Sequence, residues 1–214
     1  MATKNVEQAI YITPPKFKIL ELEIYNDPTS PHVQHRFSEK AKRDMHDKME
    51  KGSTAKKGKR EKRDFQKEFE ESYYQTKNGD YGIPATAFRN AIVNACRVTG
   101  FPMRQAKLCI FIIADDIDAK EPIPLCLFEN GAKPVYNEIP SKVQNKGNLA
   151  VNAMFTEWRI KLKVQYDADQ FTENEIANLV MRAGIQVGVG EGRPFSKTSC
   201  GMGWGTFKVK GIKI

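Results

Sequence analysis

The chain has 214 residues, 40% of them hydrophobic and 28% charged, with 34 Lys and Arg against 26 Asp and Glu. The formal net charge is +8 and the pI near 9.2, which favours an anionic macromolecule over an acidic small molecule as partner. No apolar run approaches the roughly 20 residues that cross a bilayer and no signal-peptide core opens the chain, so no membrane partner and a cytoplasmic setting are expected.

Length alone allows one medium domain, or one domain carrying a large insertion. Residues 1–15 are irregular and end in Pro14-Pro15. A first strand is predicted over Lys16–Tyr25, where Leu20, Leu22 and Ile24 alternate with Ile19, Glu21 and Glu23. Asn26-Asp27-Pro28 breaks it, and from 26 to 82 the composition turns strongly charged.

Within that insertion, Ser38–Lys51 and Glu61–Gln75 read as helices with sparse anchors, Met45 and Met49, then Phe65, Phe69 and Tyr73. Lys56, Lys57, Lys59 and Arg60 form a basic tip between them. So few apolar groups predict an arm projecting from the main domain, either a solvated insertion or a grip on a nucleic-acid strand.

A helix is predicted over Ala85–Val98, with Phe88, Ala91, Ile92, Ala95 and Val98 on one face and Gly100 closing it. Lys107–Ala114 is almost continuously apolar and reads as a central strand covered on both faces. The acidic turn Asp115-Asp116-Ile117-Asp118 lacks the spacing of a calcium loop, and no metal is assigned to it. Two short strands, Ile123–Phe128 and Lys133–Ile139, are expected around Asn130-Gly131, followed by a polar loop over Ser141–Asn148 that holds Lys142 and Lys146.

The clearest strand spans Glu157–Tyr166, where Trp158, Ile160, Leu162, Val164 and Tyr166 alternate with Arg159, Lys161 and Lys163. Its basic row suits phosphates and equally suits an ordinary solvated face. Thr172-x-x-Glu175 is a capping box that starts a helix through about Ala183, ended by Gly184. The tail then carries glycines at 184, 188, 190, 192, 201, 203 and 205, with Arg193 and Lys197 among them, before a last strand over Trp204–Lys210. Such a backbone can approach an extended anionic ligand closely, or make a tight turn. Cys96, Cys109, Cys126 and Cys200 form no Cys-x-x-Cys pair and read as buried free thiols.

Without the insertion and the middle hairpin, the order is strand, helix, strand, strand, helix, strand. This predicts an α+β, ferredoxin-like βαββαβ antiparallel sheet with both helices on one face, the arrangement that underlies the RNA-recognition motif. Its central strands carry no aromatic stacking signature, so contacts would come from glycine loops, basic loops and the arm.

Ile83-Pro-Ala-Thr-Ala-Phe-Arg-Asn-Ala-Ile92 resembles the helix-opening segment of the RAMP superfamily, the backbone and processing subunits of CRISPR ribonucleoproteins. The run from Gly190-Glu-Gly192 to Gly201-Met-Gly203-Trp-Gly205 is similar to the glycine-rich loop of that superfamily. Ala85 and Asn90 depart from it at glycine positions, and Val93 stands where an arginine is usual. The chain also looks like proteins carried by tailed phages, a setting without CRISPR partners.

The resemblance implies a subunit that polymerises along a single strand, and because no nucleophile motif, nucleotide fingerprint or zinc spacing appears in the chain, a non-catalytic homo-oligomer or filament on single-stranded RNA or DNA is expected. Thr86, Arg89, Arg193 and Lys197 would lie on the strand's backbone and the insertion would be a thumb. Arg97, Lys142, Lys146, Arg159, Lys161, Lys163, Gly190, Gly192, Gly201 and Gly203 complete the expected nucleic-acid surface, with no cofactor. Two alternatives stand beside an RNA binder: a phage single-stranded DNA-binding or annealing protein, and a metal-independent ribonuclease using Asp27, His32 or His35 from the loop after the first strand.

Overall fold

The computed structural model describes residues 13–51, 62–143, 146–196 and 201–211. The protein is α+β, with antiparallel sheets and five α-helices among those residues. In chain order the elements are β1 (Phe17–Asn26), β2 (His32–Gln34), α1 (Glu39–Lys51), α2 (Phe65–Glu71), β3 (Gly82–Pro84), α3 (Ala85–Thr99), α4 (Met103–Cys109) and β4 (Ile110–Ile113). There follow β5 (Asp116–Ile117), β6 (Pro124–Leu127), β7 (Val135–Val143), β8 (Lys146–Phe155), β9 (Arg159–Asp167), α5 (Glu173–Arg182) and β10 (Phe207–Val209).

The main sheet runs β10-β1-β9-β4, and two three-stranded sheets run β2-β8-β7 and β3-β6-β5. In the main sheet Leu20 lies opposite Val164, Leu22 opposite Leu162 and Ile24 opposite Ile160, so the alternation read from β1 and β9 falls on one shared face. That face packs on Phe88, Ile92 and Ala95 of α3 and on Ile176 and Val180 of α5, all fully or almost fully buried. Trp158 and Phe88 both meet the Phe207 ring, at 6.0 and 5.7 Å, and join the sheet's edge to the helices. Full burial of each large apolar side chain here is worth about 1.5–3 kcal/mol.

Four local expectations are corrected. Lys107–Ala114 is not a central strand: α4 carries the chain to Cys109, and β4 is an edge strand starting at Ile110. Pro102 precedes α4, Ala106 and Cys109 supply its buried side at helical spacing, and Leu108 stays 71% exposed. The chain does not fold back on itself at Asn130-Gly131. β6 pairs with β3 and β5, while β7 and β8 form one long hairpin from Val135 opposite Met154 to Val143 opposite Lys146. The expected polar loop over 141–148 therefore belongs to the hairpin's end.

Gly184 does not end α5. The helix widens into a π turn over Ala183–Val187 and stops at Gly188. Cβ-less Gly184 lies within that turn beneath Phe207. Finally, the described residues of the charged segment 26–82 do not all project, because β2 pairs with β8 and Phe69 of α2 lies 5.4 Å from the Tyr136 ring.

The root of that segment is held by charge. Arg36, with a 4% exposed side chain, meets Asp118 at 3.1 Å and Glu121 at 2.9 Å. Asp118 also accepts from the amides of Gln75, Lys120 and Glu121 at 3.1, 3.1 and 2.9 Å. The acidic turn read from the sequence is thus a socket for an arginine. Cys96, Cys109 and Cys126 are buried free thiols, with Cys126 pushed up to about 12 by desolvation; Cys200 lies outside the described residues.

Candidate nucleic-acid interface

A cleft of about 700 Å³ lies between the start of α3, the β2 segment and the glycine-rich loop after α5. Its α3 wall carries Thr86, Asn90 and Asn94, spaced four residues apart so that they share one helix face. Pro84 stands at the N-cap with no side-chain cap, so the first-turn amides of α3 have no partner from a capping group. Helix N-termini of this kind attract anions.

The facing wall is the glycine loop. Val189 N–H donates to the Gly205 carbonyl at 2.9 Å, Gly205 N–H to Pro31 at 2.9 Å, and Glu191 N–H to Val33 at 2.9 Å. A Cβ on Gly190 would stand 2.6 Å from the Val33 carbonyl oxygen, and one on Gly205 would stand 1.8 Å from that of Val189. Here the glycine-rich backbone makes its close approach to the chain's own backbone; Val189 is buried, and Glu191 and Phe195 have exposed side chains. Arg193 donates from Nη1 to the Gly190 carbonyl at 2.8 Å, which fixes its guanidinium at the cleft. Phe195, 40% exposed, lines the same space.

His32 lies at the cleft's base, 1% exposed. Its Nδ1 faces the Val189 carbonyl at 3.4 Å and its Nε2 faces the Gln34 amide nitrogen at 3.2 Å. Gln34 also donates to Gly82 at 2.8 Å and accepts from Tyr74 N–H at 3.0 Å. Burial lowers His32 to about 4, offset in part by the Val189 contact. Both ring nitrogens are thus engaged and the ring is neutral, an arrangement for holding β2 rather than for taking a proton from a ligand.

Asp27 is likewise engaged away from the cleft. It accepts from the Thr29 amide and hydroxyl and meets Lys208 at 3.3 Å, and these contacts lower its pKa, the Thr29 amide most of all. His35 is exposed at the cleft's rim.

The other sequence-selected residues divide by location. Thr86, Gly190 and Arg193 meet in the cleft. Arg89 instead donates to the carbonyls of Ile110 at 2.9 Å and Lys107 at 2.5 Å, closing the end of α4. Arg97 stands over the Phe195 ring, 5.5 Å from its centroid. Gly192 packs under Trp204, Gly201 lies against the Arg193 backbone and Gly203 is exposed.

Arg159, Lys161 and Lys163 form ion pairs with Glu23, Glu21 and Asp115 at 3.6, 2.8 and 2.9 Å, the first two across to β1 and the third to the turn after β4, so the basic row carries its own counter-charges. Lys142 and Lys146 sit at the end of the β7–β8 hairpin. Lys56, Lys57, Lys59, Arg60 and Lys197 lie outside the described residues.

Sequence reasoning missed Asn90, Asn94 and Phe195 as cleft residues. The i, i+4 spacing of two amides on an otherwise apolar-faced helix was the available signal for the first two. No protein-family model matches this chain, and no curated protein matches it. Among the described residues no helix is long and apolar enough to cross a membrane.

Proposed function

We propose that this protein binds single-stranded nucleic acid without cleaving it and assembles along the strand as a homo-oligomer. The observation that carries this reading is convergence: two segments about a hundred residues apart, the start of α3 and the glycine loop, form opposite walls of one cleft. These are the same two segments that carry the RAMP resemblance. The main sheet, ordered β10-β1-β9-β4 with α3 and α5 packed on it, supports reading the core as ferredoxin-like and the chain as a stand-alone relative of that superfamily.

The chemistry suits a phosphodiester backbone. Uncapped helix amides, the Thr86 hydroxyl and the Arg193 guanidinium supply donors and positive charge, and the net charge of +8 adds a long-range attraction. The engagement of His32 and Asp27 elsewhere weighs against the ribonuclease reading.

Fluorescence anisotropy with a single-stranded RNA, the matching DNA and the duplex, each at low and moderate salt, tests the proposal. Preferential, cooperative and salt-sensitive binding to one single strand is expected, and it also chooses between RNA and DNA. Arg193→Ala should weaken that binding about tenfold at fixed salt. Equal weak binding to all three, vanishing at moderate salt, would overturn the reading.

A further inference from the structure

We infer that Phe195 is a stacking platform for one nucleobase of the bound strand, an inference that rests on the single-strand reading above. Three observations support it. First, Phe195 is a large aromatic left 40% exposed on the wall of a cleft, where a residue serving only the core would be covered.

Second, the ring is held ready. Its own N–H donates to the Val187 carbonyl at 3.1 Å, anchoring the loop to the end of the π turn. The Arg97 guanidinium stands over the ring at 5.5 Å and is itself fixed by a contact from Nε to the Met103 sulfur at 3.1 Å. An arginine backing an aromatic favours a further flat π system on the exposed part, because the ring is already ordered and the stack costs little entropy.

Third, polar edges share the cleft. Asn94 lines the cleft and donates from Nδ2 to the Asn90 carbonyl at 2.8 Å, which engages its amide nitrogen and keeps its side-chain oxygen as an acceptor suited to a base amino group. The ligand class that joins these features is a phosphate-linked aromatic base, with phosphate toward Arg193 and the α3 terminus and the base on Phe195.

The test compares, for wild type and variants, an oligonucleotide of the preferred sugar with an abasic strand of equal length and charge. Wild type should bind the base-bearing strand about tenfold more tightly than the abasic one. Phe195→Leu, which keeps apolar loop packing, should abolish that ratio while leaving abasic binding unchanged, and Phe195→Trp should preserve or increase it. A ratio that survives Phe195→Leu, or equal losses on both strands, would overturn the platform while leaving the single-strand reading intact. Failure of wild type to bind either strand would overturn both.

Discussion

At the scale of single residues, the glycine tail separates two uses of the same amino acid. Gly205 has φ +66 and a missing Cβ that would stand 1.8 Å from the Val189 carbonyl oxygen, whereas Gly203 has φ +76 and nothing within 4 Å. Both substitutions to alanine meet backbone strain of about 1–2 kcal/mol, and only Gly205→Ala adds a backbone collision. Urea denaturation should therefore show a loss of about 1 kcal/mol for Gly203→Ala and on the order of 3 kcal/mol or more for Gly205→Ala. Similar losses for the two would mean that the Val189–Gly205 approach relaxes freely. The sequence made the abundance of glycine legible but not its purpose. A glycine required by a neighbouring segment of the same chain and one required by a ligand look alike until the neighbour is placed.

Among the elements, the ion cluster at the root of the charged segment has the sharpest energetic consequence. Arg36 and Asp118 have side chains only 4% and 1% exposed, and their separation is 3.1 Å. Removing Arg36 strands Asp118 as a buried charge with no cationic partner, which costs about 3–5 kcal/mol. Arg36→Met should lower stability by that amount, and Asp118→Asn introduced into the Arg36→Met protein should recover part of it. Thermal denaturation of the two single variants and the double reads the coupling, and strictly additive losses would mean that the pair is not an energetic unit.

The partners are 82 residues apart, so the acidic turn was visible in the sequence and its arginine was not. Legibility followed this pattern throughout. β1, β9, α3 and the capping box of α5 announce themselves through local period or local hydrogen bonding. β8 does not, because Asn148 and Asn152 interrupt its apolar positions and its place depends on strands drawn from elsewhere. The cleft was half legible. Thr86, Gly190 and Arg193 came from motifs, but Phe195 and the two asparagines acquired meaning only when α3 and the loop were brought together.

For the molecule as a whole, stability carries a proton term from His32. Its folded pKa is lowered to about 4 from an ordinary 6.5, so between those values the unfolded chain binds the extra proton. The contribution is complete above pH 6.5 and is lost as pH falls toward 4, amounting to about 2 kcal/mol between pH 7 and pH 5. The pH dependence of unfolding free energy over that interval should be steeper for wild type than for His32→Asn by about this amount. Identical slopes would place the imidazole in contact with water. The carboxylates of Asp27 and Glu121, whose pKa values are lowered by their partners, act in the same direction only below their ordinary range near 4, which separates the two effects.

The β2-β8-β7 sheet joins a strand from the segment after β1 to a hairpin that lies far along the chain. During synthesis from the N-terminus, β2 emerges about 120 residues before its partner β8 is complete, an interval of roughly 6–24 s at ribosomal speeds of about 5–20 residues per second. Over that time the buried trio His32, Val33 and Gln34 has no strand to pair with, and the β1 strand beside it awaits β9 in the same way. The polar, heavily charged stretch that follows β2 is made early in that interval, so the strand waits for its partner beside the most water-loving part of the sequence.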